Sequence, residues 1–170
     1  MATHFETLEK NIYSLAELKT ICAKLREEKK TIVFTNGCFD LIHLGHIDYL
    51  SKAADLGDFL IIGLNSDLSV QNIKGSTRPI QNQKSRQVQL AAFSFVDAVV
   101  LFEEETPYNL INEIKPDILV KGGDYKADEV VGAEIVTRNG GEVVILQFVE
   151  GYSTSLIEKK IIDNYKLTEG

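Results

Sequence analysis

Short continuous apolar runs alternate along the chain with stretches whose apolar residues recur at helical spacing. Residues 31–34, 59–64, 98–101, 118–120 and 143–146 form such runs and read as five strands. Ser14-Leu15-Ala16-Glu17 is a capping box opening an amphipathic helix, with Leu15, Leu18, Ile21, Cys22 and Leu25 on one face and a charged stop at residues 26–30. Ile47, Leu50, Ala53 and Ala54 mark a second helix closed by Gly57, and a third is expected near residues 85–93. Thr106-Pro107 opens a fourth that Lys115-Pro116 stops, and a fifth ends at Asn139-Gly140. Ser155-x-x-Glu158 caps a last helix carrying Leu156, Ile157, Ile161 and Ile162.

Strands that are apolar throughout are buried on both faces, and their alternation with helices predicts an α/β fold with a doubly wound, mostly parallel five-stranded sheet. No repeat or Pro/Gly/Ser-rich linker divides the chain, so residues 1–170 are expected to form one domain with an N-terminal helical extension over about residues 1–30. Ligands of such sheets sit beyond the carboxyl ends of the strands. The loops at 35–40, 121–124 and 151–155 should therefore converge on one rim.

The first of these loops reads Gly37-Cys38-Phe39-Asp40-Leu41-Ile42-His43-Leu44-Gly45-His46. The chain contains no Gly-Lys-Ser/Thr and no Gly-x-Gly, which excludes the P-loop and the dinucleotide fingerprint. Histidines three apart, where a strand feeds a helix, can both face the first helical turn. Unpaired N–H groups and an effective charge of roughly +0.5 favour an anion there, and Gly45 admits a close approach. Phosphate binding is the preferred reading, set against capping or core histidines or a metal site. Ser153-Thr154-Ser155, following Gly151, puts three hydroxyls at the start of the last helix, more than capping requires. Cys38 reads as a small buried hydrophobe rather than a nucleophile.

Eighteen Lys+Arg against 25 Asp+Glu give a net charge of −7, which argues against broad adhesion to nucleic acid or anionic membrane. Yet residues 68–96 hold no acid and four bases, Lys74, Arg78, Lys84 and Arg86, a local region suited to a polyphosphate. Two cysteines, no zinc spacing, no signal-like start and no bilayer-spanning run point to a reducing cytoplasm and no membrane association.

Gly37-x-Phe39-Asp40, His43-x-Gly45-His46 and the distant Ser153-Thr154-Ser155 together resemble the His-x-Gly-His nucleotidyltransferase superfamily, with its Rossmann-like fold. Within it, residues 35–40, Asn65-Ser66-Asp67, Lys74-Gly75-x-x-Arg78-Pro79 and Lys121-Gly122-Gly123-Asp124-Tyr125 look like the adenylyltransferases that activate D-glycero-β-D-manno-heptose 1-phosphate. The resemblance implies that the sugar phosphate attacks the α-phosphorus of ATP, with Mg²⁺ neutralising the triphosphate and pyrophosphate leaving. It assigns His43 and His46 to the reacting phosphates, with the Cys38 and Phe39 amides and the Asn36, Gly37 and Gly45 positions around them. It further places Lys74 and Arg86 on the phosphates, Ser153 and Thr154 on the β- or γ-phosphate, and Gly123 and Asp124 at the nucleoside. Asp40 is expected to order the loop. Cytidylyltransferases of the superfamily usually carry an Arg before the Ser-Thr motif, and Gln147-Phe148-Val149-Glu150 departs from that, favouring ATP over CTP. Known bifunctional relatives carry a sugar kinase ahead of this module, so a separate kinase is expected here, and a homo-oligomer is implied.

Overall fold

Each apolar run expected as a strand is one. The computed structural model describes residues 2–168. In chain order its elements are α1 (His4–Glu9), β1 (Ile12–Tyr13), α2 (Leu15–Glu27), β2 (Ile32–Gly37), α3 (Leu44–Ala54), β3 (Phe59–Asn65), α4 (Asp67–Lys74) and α5 (Gln83–Ala91). They continue with β4 (Ala98–Phe102), α6 (Tyr108–Ile114), β5 (Ile118–Gly122), a 3₁₀ turn (Ala127–Glu129), α7 (Ala133–Arg138), β6 (Glu142–Leu146) and α8 (Thr154–Thr168).

The strands form one parallel sheet in the order β1-β4-β3-β2-β5-β6. Successive side chains alternate between its faces. Ile32 and Phe34 pack with Leu18 and Cys22 of α2, Ile111 and Ile114 of α6, and Ile135 and Val136 of α7. Val33 joins Leu50 and Ala53 of α3 and Leu90 of α5 on the other side. Both faces are covered, which is why the strands show no polar alternation in sequence.

The sheet has six strands rather than five. Ile12 and Tyr13 pair with Val99 and Val100 as a sixth, edge strand, and α2 contributes to the core. Two residues are too few to show a period, so only pairing identifies them. The last helix begins two residues earlier than its apparent capping box: Ser153 accepts from the Leu156 N–H at 3.1 Å, and Ser155 lies inside the helix. Leu156, Ile161 and Ile162 of α8 are exposed.

One device recurs at the amino ends of the strands. Asp58, Asp97 and Asp117 each stand immediately before a strand, and their carboxylates accept from the backbone N–H groups of Thr31, Leu60 and Ile32 at 2.9, 2.7 and 2.8 Å. Each ties the start of one strand to its neighbour and fixes the parallel register there. Asp117→Ala would strand the N–H of fully buried Ile32, and the expected loss is about 1–3 kcal/mol of unfolding free energy. Urea denaturation checks this: the midpoint should fall for Ala and recover in large part for Asp117→Asn, whose side-chain oxygen still accepts.

Candidate active site

The chain leaves β2 toward β3 and β4, then returns to lay β5 and β6 on the opposite side of β2. Where the direction of winding reverses, the loops beyond β2 and β5 part and leave a crevice. A cavity of about 590 Å³ fills it, lined by residues 36–40 after β2, by His46 and Tyr49 of α3, by Lys74, by residues 121–125 around the end of β5, and by Phe148 and Thr154. The convergence of the three loops expected from sequence is realised.

His43 and His46 stack, ring centroids 3.8 Å apart at 20°, and Phe39 meets His46 edge-on at 5.3 Å and 62°. His46 faces the cavity, while His43 lies behind it beside Gly151, Tyr152 and Ser153. The Nδ1 atoms of both rings are buried with no protein partner among the described residues. Burial, then the neighbouring His43 and Lys74, push the His46 pKa down to about 4 against a backbone contribution from Leu41, and burial lowers that of His43. At neutral pH both rings are therefore uncharged in the free protein. The space beside Gly45 is taken by the His43 ring and Tyr152, which a Cβ would meet at 3.1 and 3.3 Å. Its missing side chain serves the packing of the histidine.

Phe39 holds φ at +44°, a left-handed conformation that costs an aromatic residue about 1–3 kcal/mol. The surroundings enforce it. Asp40, 4% exposed, accepts from the N–H groups of Ile80 and Gln81 at 2.9 Å and pairs with Arg78 at 3.3 Å. Burial alone would raise its pKa, but those donors outweigh burial and keep the carboxyl below its ordinary value. Asp40 thus orders the loop.

Arg86 differs from its expected place. It is fully buried and absent from the cavity wall, donating instead to the carbonyls of Gln81, Cys38 and Asn65 at 3.0, 2.6 and 2.9 Å and pairing with Asp67 at 2.8 Å. Its fork joins the loop after β2 to the end of β3. The basic segment is likewise mostly neutralised: Arg78 pairs with Asp40 and Glu158, and Lys84 with Glu9. Lys74 alone of the four has no carboxylate within ion-pair distance among the described residues.

A second such cation went unassigned in the sequence. Lys121, at the carboxyl end of β5, is half-buried, donates to Asn36 Oδ1 at 3.3 Å and lies 6.0 Å from the Tyr125 ring centroid, with no carboxylate partner among the described residues. Burial lowers its pKa. The available signal was a lysine ending an apolar strand at the ligand-binding edge of a parallel sheet. Tyr49 and Phe148 were also missed. The Tyr49 hydroxyl donates to the Val120 carbonyl at 3.2 Å and accepts from Thr35 at 2.7 Å, bracing β2 against β5 below the cavity. Phe148 covers Gly122 and Gly123, where a Cβ would meet its ring at 2.4 and 3.2 Å.

Of the remaining expected residues, Asn36, Gly37, Cys38, Gly123, Asp124 and Thr154 line the cavity, and Ser153 belongs to the small hollow behind His43. The described residues contain no cluster of three or more His, Cys, Asp or Glu able to cage a metal. Asp124 is the cavity carboxylate not committed to the loop, so a divalent ion fits here as one carried chiefly by substrate phosphates. No described helix is long and apolar enough to cross a membrane.

The switch-point cavity of this parallel sheet thus offers an anion the His46 imidazole and two lysines that have no carboxylate partner among the described residues, an arrangement that suits the nucleotidyltransferase class. Residues 34–160 match the family model described as Cytidylyltransferase-like, and the chain belongs to that family. The Bifunctional protein HldE of Campylobacter jejuni subsp. doylei is 56% identical over 155 residues, covering 91% of this chain and 32% of that protein. Its namesake from Syntrophotalea carbinolica is 46% identical over 166 residues, covering 98% and 34%. The chain therefore spans about a third of the length of these curated relatives. Among solved structures, the lipopolysaccharide core biosynthesis protein from Thermoplasma volcanium is 31% identical with a TM-score of 0.57, covering 73% of this chain and 99% of that one. A pantoate-beta-alanine ligase from Francisella tularensis, 18% identical with a TM-score of 0.57 over 80% of this chain and 66% of its own, shares the fold alone.

The depressed histidines predict a pH dependence of stability. A base whose folded pKa lies below its unfolded value of 6.5 favours folding fully above that value, and the advantage is lost as pH falls toward the folded value of about 4. The thermal midpoint should drop across this window. His46→Gln should flatten the drop and leave the midpoint above pH 7 nearly unchanged, as scanning calorimetry at a series of pH values would reveal.

Proposed function

We propose that this chain transfers AMP from ATP to D-glycero-β-D-manno-heptose 1-phosphate, giving ADP-heptose and pyrophosphate. The observation that carries the reading is the stacked His43–His46 pair, whose buried Nδ1 atoms have no protein partner among the described residues, with His46 in the wall of a crevice that also presents Lys74 and Lys121. Polar groups buried without partners are expensive, and phosphate oxygens or phosphate-bound water would satisfy them. The similarity to HldE proteins and to a lipopolysaccharide core biosynthesis protein supports a heptose acceptor, and residues 147–150 support ATP as donor.

In this reading the acceptor's phosphate oxygen attacks the α-phosphorus in line, the bond to the β-phosphate oxygen breaks, and pyrophosphate leaves with the electron pair. A phosphate monoester is largely ionised at pH 7, so a general base has little proton to remove. Positioning two anions in line supplies on the order of 7–11 kcal/mol, provided their repulsion is offset. His46 donates to the α-phosphate and His43, stacked behind it, fixes its orientation and supports the leaving phosphates. Lys74 and the Cys38 and Phe39 amides share the charge. Thr154 and Ser153 receive the outer phosphates, and Gly123, Asp124 and the Phe148 ring frame the nucleoside. Arg86 acts through the loop it holds. Mg²⁺ arriving with ATP would be held chiefly by the phosphates, with Asp124 the carboxylate at hand, and would supply charge neutralisation. A kinase reaction must supply the sugar 1-phosphate, the cytoplasm is the compartment that offers ATP, and self-association follows from the resemblance.

Pyrophosphate release with ATP and with CTP, against a panel of sugar 1-phosphates including both heptose anomers, tests this. Turnover from ATP and the β-anomer is expected; turnover only from CTP and glycerol 3-phosphate would sink the assignment. His46→Ala should lower kcat by about two to three decades while circular dichroism stays native, the scale of losing one transition-state donor. A kcat near wild type would remove His46 from the reaction.

A further inference from the structure

Beside the main cavity lies a second of about 510 Å³, and Lys74 and Lys121 line both. Asn36, Gly37 and Cys38 also belong to both, so the two spaces meet along the loop after β2 and at the two ammonium groups. Only the second reaches Glu105 and Thr106, in the connection from β4 to α6, and Glu129 at the 3₁₀ turn. Glu129 shares an exposed ion pair with Lys126 at 3.4 Å. The lining of the second cavity thus combines the two cations it shares with the first with a hydroxyl and two carboxylates of its own.

A triphosphate matches the two cations of this lining and is repelled by its two carboxylates. A polyhydroxylated phosphate ester matches all of it. Its phosphate meets cations lacking carboxylate partners, and its hydroxyls donate to acceptors that have unused lone pairs. Lys121 is the more telling of the two cations, because an enclosed ammonium without a counter-ion is costly until an anion arrives.

We infer that the second cavity is the acceptor subsite and that it selects an aldose monophosphate: Lys121 with Lys74 grips the one phosphate, and Glu105, Thr106 and Glu129 take the sugar hydroxyls. This rests on the proposed nucleotidyl transfer and names the part of the chain that chooses the acceptor. The two carboxylates also exclude a second phosphate, because a sugar bisphosphate would set a dianion against Glu105 and Glu129.

Calorimetric titration of heptose 1-phosphate, a sugar bisphosphate and inorganic phosphate into protein saturated with a non-hydrolysable ATP analogue tests the subsite without turnover. The wild type should bind the sugar monophosphate at least about tenfold tighter than either of the others, and Lys121→Met should weaken it by about tenfold or more. Glu105→Gln and Glu129→Gln should weaken the monophosphate and narrow its lead over the bisphosphate, with affinity for the ATP analogue within about twofold of wild type. Equal binding of inorganic phosphate, equal binding of the bisphosphate, no sugar phosphate binding at all, or variants that shift only the ATP analogue would each overturn the subsite. Selective binding without pyrophosphate release would instead retain the subsite and remove the transfer reading. Pyrophosphate release with variants silent on acceptor binding would do the reverse.

Discussion

The burial of one guanidinium organises the ligand-binding edge of this molecule. Arg86 is removed from water entirely, and a charge so placed is tolerable only when its donors are met. Carbonyls of the loop after β2, of the end of β3 and of the segment before α5 meet them, together with the Asp67 carboxylate. These segments are far apart in sequence and would otherwise be independent loops. With Asp40 collecting the Ile80 and Gln81 N–H groups beside it, the fork holds Cys38 and Phe39 in a strained turn that starts the histidine helix. The histidines owe their positions to this frame as much as to their own packing.

The electrostatics follow from the same economy of partners. The chain is acidic overall, and most of its basic side chains near the site are already paired with carboxylates. Lys74 and Lys121 stand out because no such partner reaches them among the described residues, and they lie where two cavities meet. Neutral imidazoles beside them add donors without adding repulsion between cations. An anion entering the crevice therefore encounters a few focused positive groups in a molecule that repels it elsewhere.

Much of this was legible in the chain itself. Five of the six strands, the parallel winding and the loops that carry the site follow from the period and length of apolar runs, a signal that burial on both faces of a sheet imposes directly. Gly37-x-Phe39-Asp40 and His43-x-Gly45-His46 pointed to the turn that lines the crevice, and Asp40 was assigned its ordering role. The edge strand Ile12–Tyr13 escaped because two residues carry no periodicity, and the α8 cap was displaced because Ser155 has Glu158 three residues on and mimics a capping box, whereas Ser153, the actual cap, has only Leu156 there.

What the amino-acid order determined by itself is the architecture and the histidine-bearing turn beside the crevice, since both are written in local pattern and neighbouring residues. Which charges remain free was decided by tertiary structure. Arg86 and Lys74 look alike in an acid-free stretch, but one is consumed by carbonyls and a carboxylate contributed from distant segments, and the other lines the crevice with no carboxylate within ion-pair distance among the described residues. Lys121 gained its importance in the same way, from what the fold fails to place beside it. Pairing depends on through-space distance between remote parts of the chain, and no local pattern encodes that distance.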